Sequence, residues 1–131
     1  MQIQTVAAVI VRNGKILYGK RALWKKVAPG FWSPISGKIE VGESEEQAVV
    51  RECLEEIGVK VKPIRKLGSL NTRDKHANIH FWLAEIISGE AKLIQDENSE
   101  IGWFTLEELS KLTPIFEEDF ELLKQTLSAV E

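Results

Sequence analysis

The segment Gly37–Val59 reads GKIEVGESEEQAVVRECLEEIGV and combines a glycine, spaced glutamates and an apolar pattern. Ser44 and Gln47 form the Ser-x-x-Gln pattern of a capping box, which typically begins a helix. Gly58 stands where a left-handed residue typically ends one. The spacing therefore predicts a helix over about residues 45–57.

Acidic side chains are concentrated on one side of this predicted helix. At about 100° per residue, Glu52, Glu55 and Glu56 fall within one narrow arc. The opposite side would pack against a core, and it comprises Val49, Val50, Cys53, Leu54 and Ile57. Like charges three or four residues apart destabilise an isolated helix by about 0.2–0.5 kcal/mol per pair. The cluster therefore requires full solvation or a counter-cation, and carboxylate oxygens suit Mg²⁺ or Mn²⁺.

A solvated acidic helix face would be the commoner explanation on composition alone, but the spacing of the whole segment favours a metal site. Gly37, Glu43 and the run 51–59 follow the order GX5EX7REUXEEXGU, where U is a bulky aliphatic residue. This order resembles the Nudix box, and all seven fixed identities are present. Cys53 occupies a U position, where a buried thiol acts as a small apolar group.

The resemblance to the Nudix family implies an α/β protein, an α/β/α sandwich with a mixed β-sheet, that hydrolyses a nucleoside diphosphate linked to another group. It implies Mg²⁺ as the cofactor, with Mn²⁺ as the alternative, bound by Glu52, Glu55 and Glu56. Glu52 or Glu55 would take the proton from the attacking water. Arg51 would orient Glu52, and Glu43 would hold the loop and the helix together.

Beyond the box, the chain resembles the MutT type of nucleoside triphosphate pyrophosphohydrolase. By this resemblance, the Ser36 carbonyl would be a further metal ligand, while Arg21 and Lys38 would contact phosphate. Ordinary surface charge is the alternative for Arg21 and Lys38. Glu97, six residues before Trp103, matches the metal-binding acid outside the box, with Glu100 as its nearest competitor.

The expected nucleobase contacts are Trp32, Phe116 and Asp119. Phe116 stands where a MutT-type reader of oxidised guanine has Asn, which argues against a preference for 8-oxo-guanine, and Asp119 is the alternative reader of a purine. Three loop aromatics can stack on a base or equally pack the loop against the sheet: Trp24, Phe31 and Trp32.

The rest of the chain predicts strands with few helices. Asn13-Gly14 between two β-branched or apolar runs, Ile3–Val11 and Ile16–Tyr18, is typical of a hairpin with a type I′ turn. The composition of Ala28–Gly37 predicts a long surface loop. Further strands are predicted at Val59–Leu70, Ile79–Ile87 and up to Trp103-Phe104. Thr105 and Glu108 form a second capping box, and Pro114 is predicted at the first position of a last helix.

Composition favours one globular domain over residues 1–131. The net charge of −3 hides an asymmetry, because residues 1–39 contain seven bases and no acid, while the remainder holds all 20 acids. The apolar content of 44% argues against disorder, and no apolar run approaches the roughly 18 residues that span a bilayer. The N-terminus lacks signal-peptide features. The single Cys53 allows no intrachain disulfide and favours a cytoplasmic location.

The resemblance to the MutT type implies a Mg²⁺-dependent enzyme that converts a (deoxy)nucleoside triphosphate to the monophosphate and pyrophosphate, by attack of water on the β-phosphorus. The expected partner is a small-molecule nucleotide, with no membrane and no stable nucleic-acid complex, and the expected state is a monomer or homodimer. One alternative is a Nudix hydrolase of another diphosphate: a nucleotide sugar, a pterin triphosphate or capped RNA. The other is a Nudix module that binds nucleotide without cleaving it.

Overall fold

The structure is a computed structural model that describes residues 2–127. Within that range the chain forms seven strands and three helices. In chain order they are β1 Ile3–Arg12, β2 Lys15–Arg21, β3 Trp32–Ser33, β4 Ile35–Lys38, α1 Glu45–Ile57, β5 Lys60–Asn71, β6 Ala77–Ser88, β7 Asn98–Phe104, α2 Leu106–Leu109 and α3 Glu117–Thr126. None of the helices in this range is long and apolar enough to cross a membrane.

Strand β1 lies at the centre of a mixed sheet with the order β3-β2-β1-β6-β5. It runs parallel to β6 and antiparallel to both β2 and β4. Strand β7 pairs antiparallel with β2, and β5 pairs antiparallel with β6. Because β4 joins the central strand β1 and β7 joins its neighbour β2, they bring two distant parts of the chain to the same region of the sheet.

The hairpin between β1 and β2 has the predicted turn. Arg12 pairs with Lys15, which leaves a two-residue loop of Asn13 and Gly14. Both loop residues have positive φ, 53° and 76°, as a type I′ turn requires. The prediction of a hairpin at this point is confirmed.

Helices cover both faces of the sheet, and the burial of β1 shows why. Val6, Ala8 and Ile10 pack with α1 in one core, whereas Ala7 and Val9 point to the other face. The second core contains Leu109 of α2 and Leu123 of α3. A strand that is buried on both faces reads as an almost continuous apolar run. The predicted α/β/α sandwich with a mixed sheet is confirmed.

Helix α1 has the predicted bounds and both predicted caps. The Ser44 hydroxyl accepts a hydrogen bond from the Gln47 amide at 3.1 Å, and the Gln47 side chain accepts one from the Ser44 amide at 2.8 Å. Gly58 ends the helix in the left-handed region, with φ 70°. Local interactions thus set both ends of the helix that carries the glutamates.

The prediction of a loop over Ala28–Gly37 is wrong for its second half. Trp32–Ser33 forms β3 against β2, and Ile35–Lys38 forms β4 against the first half of β1. The backbone of this segment completes the hydrogen bonding of β1 and β2, a long-range pairing that local Pro and Gly content does not reveal.

The prediction of Pro114 at the start of the last helix is also wrong. Helix α3 begins at Glu117, and the Thr113–Pro114 peptide bond is cis. The Pro114 carbonyl accepts a hydrogen bond from the Trp32 amide at 2.9 Å, and Ile115 bridges to Trp32. This extended pairing with β3 keeps residues 114 and 115 out of the helix.

We predict that Ser44→Ala lowers the free energy of unfolding by about 1 kcal/mol, because the Gln47 amide loses its partner at the start of α1. Chemical denaturation followed by far-ultraviolet circular dichroism measures this change. Ser69→Ala, at an exposed position of β5, serves as the control and should change the free energy by less than about 0.5 kcal/mol. Equal losses in the two variants would contradict a capping role for Ser44.

Candidate active site

Gly37 allows strand β4 to lie directly against helix α1. A Cβ atom built on Gly37 would lie 2.1 Å from the Cδ atom of Glu52. Such a distance is far below van der Waals contact, so any side chain at position 37 would displace the Glu52 carboxylate. Glycine is therefore required here because another group approaches its backbone closely.

The Arg51 guanidinium organises the acidic side chains around the start and middle of α1. Its Nε and Nη2 donate to the two carboxylate oxygens of Glu43, at 2.7 and 3.0 Å. Nη1 donates to Glu52 at 2.8 Å and to Glu55 at 3.1 Å, and Nη2 also donates to the Lys38 carbonyl at 2.8 Å. The hydrogen bond with Glu43 is the largest of several effects that raise the pKa of Arg51, so the group stays charged.

Glu56 is a buried carboxylate among other carboxylates. Only 4% of the residue is exposed, and its Oε2 atom has no hydrogen-bond partner. Burial, reinforced by the neighbouring Glu52 and Glu97, raises the pKa of Glu56 to about 9. A buried acceptor without a donor is costly in a folded protein. Its chemistry fits a divalent cation, which would take the place of the acid proton and bind the free oxygen.

The three acids of the predicted arc on α1 differ in burial. Glu52 and Glu56 are directed inward, whereas the Glu55 side chain is 41% exposed and is bonded to Arg51. Leu54 was predicted on the packed side, yet it is 57% exposed. Helix α1 is thus rotated relative to the sequence prediction, so that its second-last turn presents Glu56 to the sheet and Leu54 to solvent.

A small polar pocket opens beside Glu56 between α1 and the strands. Its lining residues are Arg21, Lys25, Ser33, Pro34, Ser36, Glu56, Glu97 and Asn98. The predicted residues Arg21, Ser36, Glu56 and Glu97 are therefore brought together. Glu100, the competitor of Glu97, is exposed and pairs with Lys20 in the ladder between β7 and β2. The structure thus distinguishes two acids that the sequence left close.

Oxygen atoms for a cation are placed on two walls of this pocket. Among residues 2–127, no three carboxylate, imidazole or thiol side chains are grouped tightly enough to enclose a metal ion by themselves. Glu56 comes from α1 and Glu97 from the segment before β7, and the Lys25 ammonium forms an ion pair with Glu97. Any bound cation would therefore need oxygens from both walls.

Four lining residues were not among the predicted site residues: Lys25, Ser33, Pro34 and Asn98. Lys25 belongs to the acid-free first part of the chain, which is a weak signal for a partner of acidic residues. Asn98 directly follows Glu97, and its uncharged amide gives no signal of a metal or phosphate site in the sequence. The predicted phosphate contact Lys38 is not part of this lining. Its side chain is exposed, while its carbonyl accepts a hydrogen bond from Arg51.

The aromatic residues of the predicted base site pack mostly on each other. The ring of Phe116 lies 4.8 Å from that of Phe31, and Trp32 contacts Phe104 edge-on at 5.4 Å. Asp119 lies near Tyr18, and burial raises the pKa of Asp119 to about 7. Trp24 remains 60% exposed, with its indole N–H donated to the Asp96 carbonyl at 3.2 Å. Trp32 is partly exposed, and its edge-on contact with Phe104 packs this segment against β7.

Comparison with known proteins identifies the family. The model of the NUDIX domain matches residues 1–126. The chain belongs to the Nudix family. A MutT NUDIX hydrolase from Burkholderia pseudomallei is 30% identical and superposes with a TM-score of 0.85, over 95% of this chain and 98% of that one. A MutT protein from Methanosarcina mazei, 23% identical, has the same fold with a TM-score of 0.82, over 95% and 92% of the two chains.

Curated relatives of this Nudix chain are named NudC, whereas the two solved structures above are named MutT. It is 37% identical over 124 residues to the NAD-capped RNA hydrolase NudC of Actinobacillus succinogenes. The matched region covers 92% of this chain and 47% of that protein. The chain is 34% identical over 108 residues to the NudC of Pseudomonas aeruginosa, covering 82% of this chain and 38% of the relative. The chain thus spans less than half the length of these relatives.

We predict that Glu43 stabilises the Nudix chain in a pH-dependent way. The hydrogen bond with Arg51 holds the pKa of Glu43 below its usual range, so the stabilisation is present above about pH 4.5. It is lost as the pH falls through the lowered pKa in the folded state. Glu43→Gln should therefore be less stable than wild type at pH 7, and the difference should shrink below pH 4.5.

Denaturant unfolding at a series of pH values tests this expectation. Glu46→Gln is a matched control, since Glu46 is an exposed acid in the first turn of the same helix. A difference between wild type and Glu43→Gln that stays constant down to the lowest pH would contradict the assigned ion pair.

Proposed function

We propose that the protein hydrolyses a phosphoric anhydride, converting a (deoxy)nucleoside triphosphate to the monophosphate and pyrophosphate with Mg²⁺. The observation that supports this most directly is the buried, unpartnered Oε2 of Glu56 in a pocket that also holds Glu97 and Arg21. Carboxylates without enough donors favour a cation, and a guanidinium beside them favours a phosphate. The two charges in one pocket match a metal-bound diphosphate.

In this proposal, the cation is Mg²⁺, with Mn²⁺ as an alternative, and its ligands are Glu52, Glu55, Glu56, Glu97 and the Ser36 carbonyl. When bound, the ion neutralises phosphate charge and lowers the pKa of the attacking water. Arg21 and Lys38 would bind phosphate oxygens. Burial lowers the pKa of Arg21, but Glu97 and Glu56 oppose this effect. Arg21 therefore keeps its charge for that task.

The general base in this proposal is Glu52 or Glu55, and their environments differ. Glu52 is mostly buried, accepts a hydrogen bond from Arg51 and contacts Glu56. Glu55 is more exposed and lies at the end of the same guanidinium. Arg51 would orient either carboxylate to accept a proton from the attacking water. Glu43 would act by fixing Arg51.

The nucleobase would be recognised near the end of β3 and the start of α3, by Trp32, Phe116 and Asp119. Phe116 presents a ring at the N-terminal boundary of α3, one turn from the partly buried Asp119. With its pKa raised to about 7, the Asp119 carboxyl can donate or accept a hydrogen bond near neutral pH. This would suit a purine edge. We further propose a cytoplasmic monomer or homodimer that acts on a small-molecule nucleotide.

A second candidate is hydrolysis of a capped RNA or another nucleoside diphosphate derivative. The observation that favours it is the 34–37% identity to NudC proteins that are named NAD-capped RNA hydrolases. Those relatives are more than twice as long as the matched region. The polar pocket would bind the diphosphate in either case.

We expect Mg²⁺-dependent release of pyrophosphate from canonical or oxidised nucleoside triphosphates. The measurement is a substrate panel in which the products are identified by anion-exchange chromatography, with NAD, nucleotide sugars and NAD-capped RNA as further members. Pyrophosphate and a nucleoside monophosphate support the first candidate. Cleavage of NAD or capped RNA alone would replace it with the second, and binding without turnover under Mg²⁺ and Mn²⁺ would contradict both.

We predict that Glu97→Gln lowers kcat/KM by about 100-fold or more, since it removes a charged oxygen from the pocket, whereas Glu100→Gln stays close to wild type. Steady-state kinetics at several Mg²⁺ concentrations measures both. Glu52→Gln and Glu55→Gln complete the series, and the variant that loses about 100-fold or more in kcat at saturating metal identifies the general base. Full activity in both would contradict the proposed catalytic site.

A further inference from the structure

The start of strand β7 contains an irregularity that directs Asn98 into the pocket. Lys20 pairs with Glu100 and Arg21 pairs with Asn98, so β7 has one residue more than β2 at this point, Ser99. A β-bulge of this kind changes the direction of neighbouring side chains and is common beside active sites. Here it places Asn98 and Arg21 together in the lining of the pocket.

The Asn98 side chain is fixed between strand β2 and Glu56. Its Nδ2 donates to Oε1 of Glu56 at 3.5 Å, a long hydrogen bond. On the other side, its Oδ1 and Cγ atoms lie 2.7 and 2.9 Å from the place where a Cβ of Gly19 would be. Only a residue without a side chain at position 19 leaves this space. The absence of a side chain at Gly19 therefore leaves room for the Asn98 side chain.

The chemistry of an amide suits this position. The other charged groups near Glu56 are the carboxylates Glu52 and Glu97, which repel it, and the cations Lys25 and Arg21, which attract it. A further cation at position 98 would compete with a metal ion for the carboxylate, whereas a neutral N–H group orients Oε1 without adding positive charge. Donors of this kind, outside the ligand set, tune metal sites in proteins.

We propose that Asn98 is a positioning residue that holds Glu56 through Oε1, so that the unpartnered Oε2 binds the divalent cation, and that Gly19 keeps Asn98 in place. This inference rests on the proposed function, because it assumes that Glu56 is a metal ligand. Asn98 makes no contact with the cation in this assignment. Its removal should weaken metal binding without removing a ligand.

The test is binding of Mn²⁺ alone, without nucleotide, measured by electron paramagnetic resonance and by calorimetry. Wild type is compared with Asn98→Ala, which removes the donor, and with Gly19→Ala, whose methyl group would displace the Asn98 side chain. Gly102→Ala is the matched control, because its Cβ would meet the Phe104 ring at 2.8 Å rather than Asn98. Melting temperatures show whether each variant is folded.

We expect the Kd for Mn²⁺ to rise about tenfold in Asn98→Ala and in Gly19→Ala, and to stay at the wild-type value in Gly102→Ala. In kinetics, the Mg²⁺ concentration for half-maximal activity should rise in the first two variants while kcat at saturating Mg²⁺ is kept. A wild-type Kd in either folded variant of this pair overturns the role of Asn98. A wild-type protein that binds no Mn²⁺ overturns the proposed metal-dependent function itself.

Discussion

The candidate site depends on holding several carboxylates close together, and Arg51 is the group that makes this possible. Like charges at this spacing repel each other along a helix, but the guanidinium donates to Glu43, Glu52 and Glu55 at once. The same side chain binds the Lys38 carbonyl, so it also joins strand β4 to helix α1. One planar cation therefore sets both the charge balance and the geometry of this wall.

The arrangement continues from Arg51 toward the opposite wall of the pocket. Glu52 lies against Gly37 and contacts Glu56, and Glu56 reaches Asn98 at the start of β7. Each step needs either a glycine or a hydrogen-bond donor, because the carboxylates leave no space for a larger group. The chain belongs to the Nudix family, and the spacing of the box in its sequence corresponds to this dense packing. Repulsion that Arg51 does not compensate remains at Glu56, where a cation would be most stabilising.

Much of the fold was predictable from local patterns. The hairpin at Asn13 and the ends of α1 at Ser44 and Gly58 depend on turn and cap chemistry that is written in adjacent residues. Strand β4 and the late start of α3 were not predictable, since both follow from backbone pairing with β1 or β3 far along the chain. In the site, the grouping of the box residues on and beside one helix was predictable. The inward position of Glu56, the exposure of Leu54 and the role of Asn98 depend on how α1 is rotated against the sheet, which single-sequence periodicity does not fix.

The position of β1 in the centre of the sheet also has a consequence for how the pocket forms. Helix α1 and its caps use contacts between residues that are close in the chain, but the pocket also needs Arg21 from β2 and Glu97 from just before β7. Strand β1 itself pairs with β6, more than 70 residues later in the sequence. Contacts over such separations form slowly because a long stretch of chain must be ordered first. The helix of the box thus depends on local contacts, whereas the pocket is complete only when distant parts of the chain are packed together.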